Sequence, residues 1–238
     1  LFLLPLLLLL PGAAMVWRVS DQLARATREH VEEQLAAAVS TVNIVLAQEA
    51  ARIVDMATLA ASSAEVRAAL AEYPTQKGDK AGDRVLQALG EFKSGSGRFH
   101  LAITRDGKVA ARTDKPERKG DSVAGLPLVQ EGLAGVRRDG VWKLGDVYHR
   151  VAVAPVVEKG VTVGAIVVAD PLTKEDAEAL AATLHLPVAL VANGKTLGSS
   201  FGESLPDVGD VARQVGTPER PQDPLPLLHG HEGLYLVR

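Results

Sequence analysis

The sequence contains no cysteine, and that absence removes disulfide frameworks, thiol nucleophiles and cysteine-based zinc sites from consideration. Aromatic residues fill only 4% of the 238 positions, too few for a base-stacking platform. Positive charge is not in excess either: 26 Lys and Arg face 29 Asp and Glu, for a net charge of -3. No basic stripe is left to follow a phosphate backbone, and nucleic-acid binding is not expected. A nucleophile paired with a base is also missing. Ser199-Ser200 lack the strand–turn–helix setting of a nucleophile elbow, so no catalysis is expected within the chain. The one metal-like group is His229-Gly230-His231-Glu232, whose histidines would share a face of a strand. A structural metal wants four ligands, and no further Asp or His stands at a fitting spacing. Neither a metal nor a cofactor is expected.

What is present begins with an apolar run. Residues 1–17, LFLLPLLLLLPGAAMVW, carry no charge, and Arg18 closes the run. A bilayer span needs about 17–25 residues. A signal-peptide core is the competing reading, with Pro11-Gly12-Ala13-Ala14 as a cleavage site, but the apolar run continues past it. Trp17 beside Arg18 is an interfacial anchor pattern. A retained transmembrane helix over residues 1–18 is therefore expected. The chain opens on Leu1 rather than Met, which suggests a fragment of a longer protein or a trimmed form of it.

Between Ser20 and Tyr73 there is neither Pro nor Gly, so nothing in the stretch breaks a helix. Leu35, Val39, Val42, Leu46, Glu49, Ile53, Met56 and Ala60 alternate spacings of four and three and form one narrow stripe. Glu49 interrupts that seam. The spacing predicts a long stalk helix, with a connector completing residues 19–98, and a face suited to homodimerisation or to a packed domain. A core helix of a bundle is the alternative, but no comparable helices follow. A polar stretch then leads through a short helix near residues 84–92 to the Gly-Ser-Gly connector at residues 95–97.

The periodicity next switches from helix to strand. FHLAIT (residues 99–104) alternates strictly, RDGK (105–108) is a hairpin turn signal and KVAART (108–113) returns as its partner. A loop and a short helix near residues 126–134 precede three more strand candidates: GVWKL, YHRVAVAPVV and VTVGAIVVA. The order of elements predicts an α+β module with one antiparallel sheet. After a helix at residues 174–185 the pattern recurs, ALVANGKTLGS echoing AITRDGKVAAR. This segment also fits the loose phosphate-loop form, Ala189 to Gly194-Lys195-Thr196. A phosphate loop needs a helix directly after the turn, and Leu197-Gly198-Ser199-Ser200 start a helix poorly. Asn-Gly between apolar runs is a hairpin signal instead. A nucleotide site is not expected there.

With an anchor, a long helix and two hairpin modules, the chain resembles the double Cache sensory regions outside the membrane in bacterial sensor kinases and related transducers. The resemblance rests on FHLAITRDGKVAAR, RKGDSVAGLPLVQEGLAG, VYHRVAVAPVVEKGVTVGAIVVADPL and LPVALVANGKTLGSSF. It implies PAS-like antiparallel-sheet modules, a membrane-distal one at residues 99–172 and a partial membrane-proximal one at 173–238. It further implies a small-molecule pocket in the distal module, an extracytoplasmic location at the inner membrane for residues 19–238, and a helix displacement passed to a cytoplasmic output domain. A membrane-anchored interaction or structural domain without a small ligand is the alternative.

Candidate binding residues follow from alternation. Phe99, Leu101 and Ile103 are large and are expected to pack on the long helix, leaving His100, Ala102 and Thr104 on the pocket side. Tyr148, Arg150, Ala152 and Ala154 share one face of a later strand. Arg150, in mid-strand and followed by a run of uncharged residues, is the first choice for holding a carboxylate through two parallel hydrogen bonds; a solvated edge charge or an internal ion pair is the other reading. Tyr148 and Trp142 offer flat apolar walls with polar tips, against ordinary core packing. Arg112 lies at a strand end facing the same space. Asp170 could accept a ligand amine or cap the helix that starts near Thr173.

Overall fold

The computed structural model describes residues 34, 37–74, 79–92, 97–192 and 195–201. The expected transmembrane helix, the connector at residues 95–96, the turn residues Asn193 and Gly194, and the 229–232 cluster lie outside the described residues.

Helix α1 runs over Ala37–Ser62 and α2 over Ala64–Glu72. The single unbroken helix expected to Tyr73 is thus interrupted at Ser63. Its hydroxyl accepts a hydrogen bond from Val66 N and donates to Glu65, so it starts a new helix rather than continuing the old one. Helix α3, Asp79–Gly90, begins within what reads as a polar connector. Ala81, Val85, Ala88 and Leu89 form its buried face, and that spacing outweighs the surrounding charges. Among the described helices α1 is long and apolar enough to cross a membrane. Its C-terminal half nevertheless buries Ile53, Ala57, Ala60 and Ala61 in the protein core, which makes it a helix of the fold.

The strands are β1 (Phe99–Thr104), β2 (Val109–Arg112), β3 (Arg138–Leu144), β4 (Val147–Glu158) and β5 (Val161–Pro171), with α4 at Pro127–Leu133. They form one antiparallel sheet in the order β2-β1-β5-β4-β3. At the β1–β2 turn Gly107 takes a φ of +77°, and Thr104 exchanges backbone hydrogen bonds with Gly107 and Lys108. The β4–β5 turn places Lys159 and Gly160 both at positive φ, the two-residue form that matches strand twist. Pro155 lies in β4 just past Val153, the residue opposite the start of β3. Having no N–H, it suits a stretch whose outer edge carries no neighbour.

Each face of the sheet has its own cover. Helices α1, α2 and α3 pack on Ala102, Ala110, Ala111, Ala152, Ala154, Ile166 and Val168. Helix α4 and the loop before it (Val123, Leu126) pack on Phe99, Leu101, Ile103, Val151, Val153 and Val167. The expected orientation of β1 is therefore reversed: its large residues face α4, and Ala102 with His100 faces the long helix. Small residues on both sides of this core, Ala57 and Ala60 of α1 and Ala102 and Ala152 of the sheet, give α1 a shallow surface on which to lie. The bulky row fills the wider space under α4.

Helix α5, Lys174–Leu184, leads to a second, two-stranded antiparallel sheet of β6 (Ala189–Ala192) and β7 (Lys195–Ser199). Like β1–β2, this hairpin carries a register shift in its first strand. The strand after Gly194 excludes a phosphate loop there, because no helix follows the turn.

Candidate functional site

The residues singled out from the sequence divide between the two faces. Arg150, Asp170, His100 and Tyr148 lie on the side of the long helix, whereas Arg112 and Trp142 lie on the opposite face, the one that also carries α4.

On the long-helix side Arg150 is an internal ion-pair partner. Its guanidinium meets Asp176 of α5 in a short contact and Glu49 of α1 at 3.6 Å. Glu49 in turn holds Arg52 at 2.6 Å, and Arg52 reaches Asp170 at 3.4 Å. Asp170 is held by Arg98 at 2.7 Å. Hydrogen bonding to Glu49 raises the Arg52 pKa, burial opposing it. Three arginines and three carboxylates thus form one neutral chain across α1, the start of β1, the ends of β4 and β5, and α5. Asp170 does not cap α5. That task falls to Thr173 and Asp176, whose side chains take up each other's backbone N–H groups. His100 is 2% exposed with Nδ1 unpartnered; burial, and then the charge of Arg98, push its pKa down to about 4. Tyr148 is buried, with the Lys143 ammonium 5.8 Å from its ring centre.

On the opposite face, at the end of the sheet, the cluster is aromatic. His149 stands edge-on to Phe99 with ring centres 5.4 Å apart, and Trp142 is its cross-strand neighbour. The Arg112 guanidinium sits 5.9 Å from the Phe99 ring centre. It grips Asp114 with two parallel hydrogen bonds, at 2.8 and 2.6 Å. Burial pushes the Asp114 carboxyl up, but Arg112 outweighs it and leaves the group below the usual carboxylate range. Burial lowers His149, whose Nδ1 is enclosed and meets no partner. A neutral ring with one unpartnered nitrogen, beside a cation on an aromatic face, supplies the polar and flat apolar groups that bind a small polar molecule.

Several residues of these clusters escaped the sequence reading. Glu49 gave a signal, since a charge on the inward stripe of a helix needs a counter-charge. Asp176 gave another, as the fourth residue of Thr173-Lys174-Glu175-Asp176. Arg52, Arg98, Asp114 and His149 gave none that separates them from surface charges or core residues. Among the described residues no group of three or more His, Asp or Glu could hold a metal ion.

A family model described as a double sensory domain of two-component sensor kinase matches residues 28–223. No curated protein matches the chain. Of solved structures, the sensor domain of the V. cholerae histidine kinase DctB matches with a TM-score of 0.52 at 17% identity, over 74% of this chain and 68% of that one. The periplasmic domain of Vibrio cholerae LuxQ matches at 0.49 and 13%, over 74% and 81%. The isoleucine-bound sensory domain of the Campylobacter jejuni chemoreceptor Tlp3 matches at 0.49 and 14%, over 86% and 78%. The DctB likeness is one of fold.

Proposed function

Because the chain belongs to the double Cache family, the double sensory domains of two-component sensor kinases, we propose that it is the extracytoplasmic ligand-sensing region of a membrane-bound receptor. In this reading residues 1–18 anchor it in the inner membrane and residues 99–172 form the membrane-distal module. The ligand is a small molecule with a carboxylate. It takes the place of Asp114 on Arg112 and lies against Phe99, Trp142 and His149. The enclosed aromatic cluster with one paired cation is the observation that carries this assignment.

The ionic chain on the opposite face supplies a route outward. Glu49 and Arg52 of α1 are tied to the sheet and to α5 through Arg150, Asp170 and Asp176. A ligand that favours one arrangement of the sheet shifts the equilibrium between two settings of these pairs, and α1 moves with them. Two copies joined along α1 would pass that movement to a cytoplasmic output domain.

One observation favours the alternative, an interaction domain without a small ligand. Helix α4 sits close to the sheet: a Cβ at Gly132 would fall 2.3 Å from Val153 Cγ2. A thermal-shift series with organic acids, amino acids and amines separates the two readings. The sensing reading expects at least one acid to raise the melting temperature, and Arg112→Ala or Trp142→Ala to remove the rise. A chain that responds to none of them is the interaction domain.

A further inference from the structure

A groove of about 380 Å3 opens on the side of the long helix, away from the Arg112 cluster. It lies where the end of α1 and the start of α2 face the part of β4 beyond β3. Arg67 and Arg137 line it together with Ala61, Ala154, Pro155 and Val157. The volume falls within the range of small-ligand sites, roughly 300–1,000 Å3.

The two arginines differ from almost all others in the fold. Arg52, Arg84, Arg98, Arg112, Arg118, Arg138 and Arg150 each have a carboxylate oxygen within 2.9 Å. Arg137 has no ion pair or hydrogen bond among the described residues. Arg67 has Glu158 at 3.6 Å, beyond hydrogen-bond range, and its Nε is shut off from solvent without an acceptor. With its one carboxylate neighbour beyond hydrogen-bond range, the partly exposed end of the Arg67 guanidinium is open to a charge-assisted bond from an anion in the groove. Thr58 and Ser62 also line it, and the rest of the wall is apolar and small-sided, which gives the anion a short non-polar body.

We propose that this groove is a second ligand site, taking a small free carboxylic acid with a short aliphatic tail. Its carboxylate bridges Arg67 and Arg137, and its tail lies on Ala61, Ala154, Pro155 and Val157. The site is separate from the Arg112 cluster and does not depend on it.

Butyrate is the probe, titrated calorimetrically into the 238-residue chain held in a non-ionic detergent. Saturable binding is expected, with butylamine and butanol inert. Arg137→Gln should weaken butyrate about tenfold, the loss of one charge-assisted pair. Arg137 is exposed and outside helix and strand, so this variant keeps the fold; Arg67→Gln should match it. Arg105→Gln, an exposed arginine elsewhere with no ion pair among the described residues, should leave butyrate binding unchanged. The site is refuted if butyrate does not saturate, if Arg137→Gln binds like the parent, or if Arg105→Gln weakens butyrate as much as Arg137→Gln does. Sulfate binding as tightly as butyrate would refute the aliphatic half of the assignment.

Discussion

Replacing Arg150 with alanine leaves Asp176 and Glu49 facing a partly buried gap. The three side chains are 17%, 26% and 34% exposed, between a surface pair and a fully enclosed one. The expected loss is about 2 kcal/mol, above the ~1 of exposed pairs and below the roughly 3–5 of buried ones. Urea unfolding measures it, and a loss under half a kilocalorie per mole would mean the ionic chain is loosely held. His100 makes a second prediction. Its ring protonates near pH 6.5 when unfolded but resists until about 4 when folded. The unfolded state therefore binds more protons in that window, and stability falls as pH drops from 6.5 to 4. A His100→Leu chain should lose less than the parent between pH 7 and 4.5; parallel curves would clear the histidine. Arg150 was readable in the sequence as a lone charge in an apolar strand. Glu49 and Asp176 each left a mark of their own, but their pairing with Arg150 was not readable, because contact between residues so far apart in the chain leaves no local pattern. Alternation likewise sorted β1 into two rows without saying which row meets which helix. Side-chain size suggested the wrong one, since close packing of a long helix favours alanine.

Close approach between elements sets the third prediction. A Cβ at Gly164 of β5 would lie 2.2 Å from the Ile103 carbonyl oxygen, while one at Gly132 of α4 would meet the Val153 side chain. A valine methyl can yield by rotating; a carbonyl in the β1–β5 ladder cannot yield without breaking the pairing. Gly132→Ala should cost about 1–3 kcal/mol of overpacking, partly offset by the ~1 kcal/mol that alanine contributes in a helix. Gly164→Ala should cost more, and a melting series that ranks them the other way would place the tighter fit under α4. At this scale the sequence was most legible at the hairpins. Gly107 announces its turn through chemistry confined to a few residues, and β6 and β7 pair antiparallel as the second hairpin signal predicts. The break between α1 and α2 was harder, because Ser63 reads as an acceptable helical residue until its hydroxyl is seen to cap Val66.

For the molecule as a whole, the absence of cysteine makes the proposed dimer easy to examine. Leu59 and Ile44 are 62% and 56% exposed on α1. A Leu59→Cys chain in membranes should form a covalent dimer on mild oxidation, while Val141→Cys on the far edge strand should not. Equal cross-linking at both positions, or none at either, would put the contact elsewhere. One antiparallel sheet was legible from alternation. The strand order was not, since β5 comes to lie between β1 and β4 through pairings that span most of the module. The double duty of Asp176 has a practical side for anyone building chimeras. Sequence places the seam between modules near residue 172, yet a cut there would strip Arg150 of its nearest carboxylate and remove the helix start that holds it. A transplantable first module has to carry α5 along to His185, so the shared helix belongs to the donor rather than to the recipient.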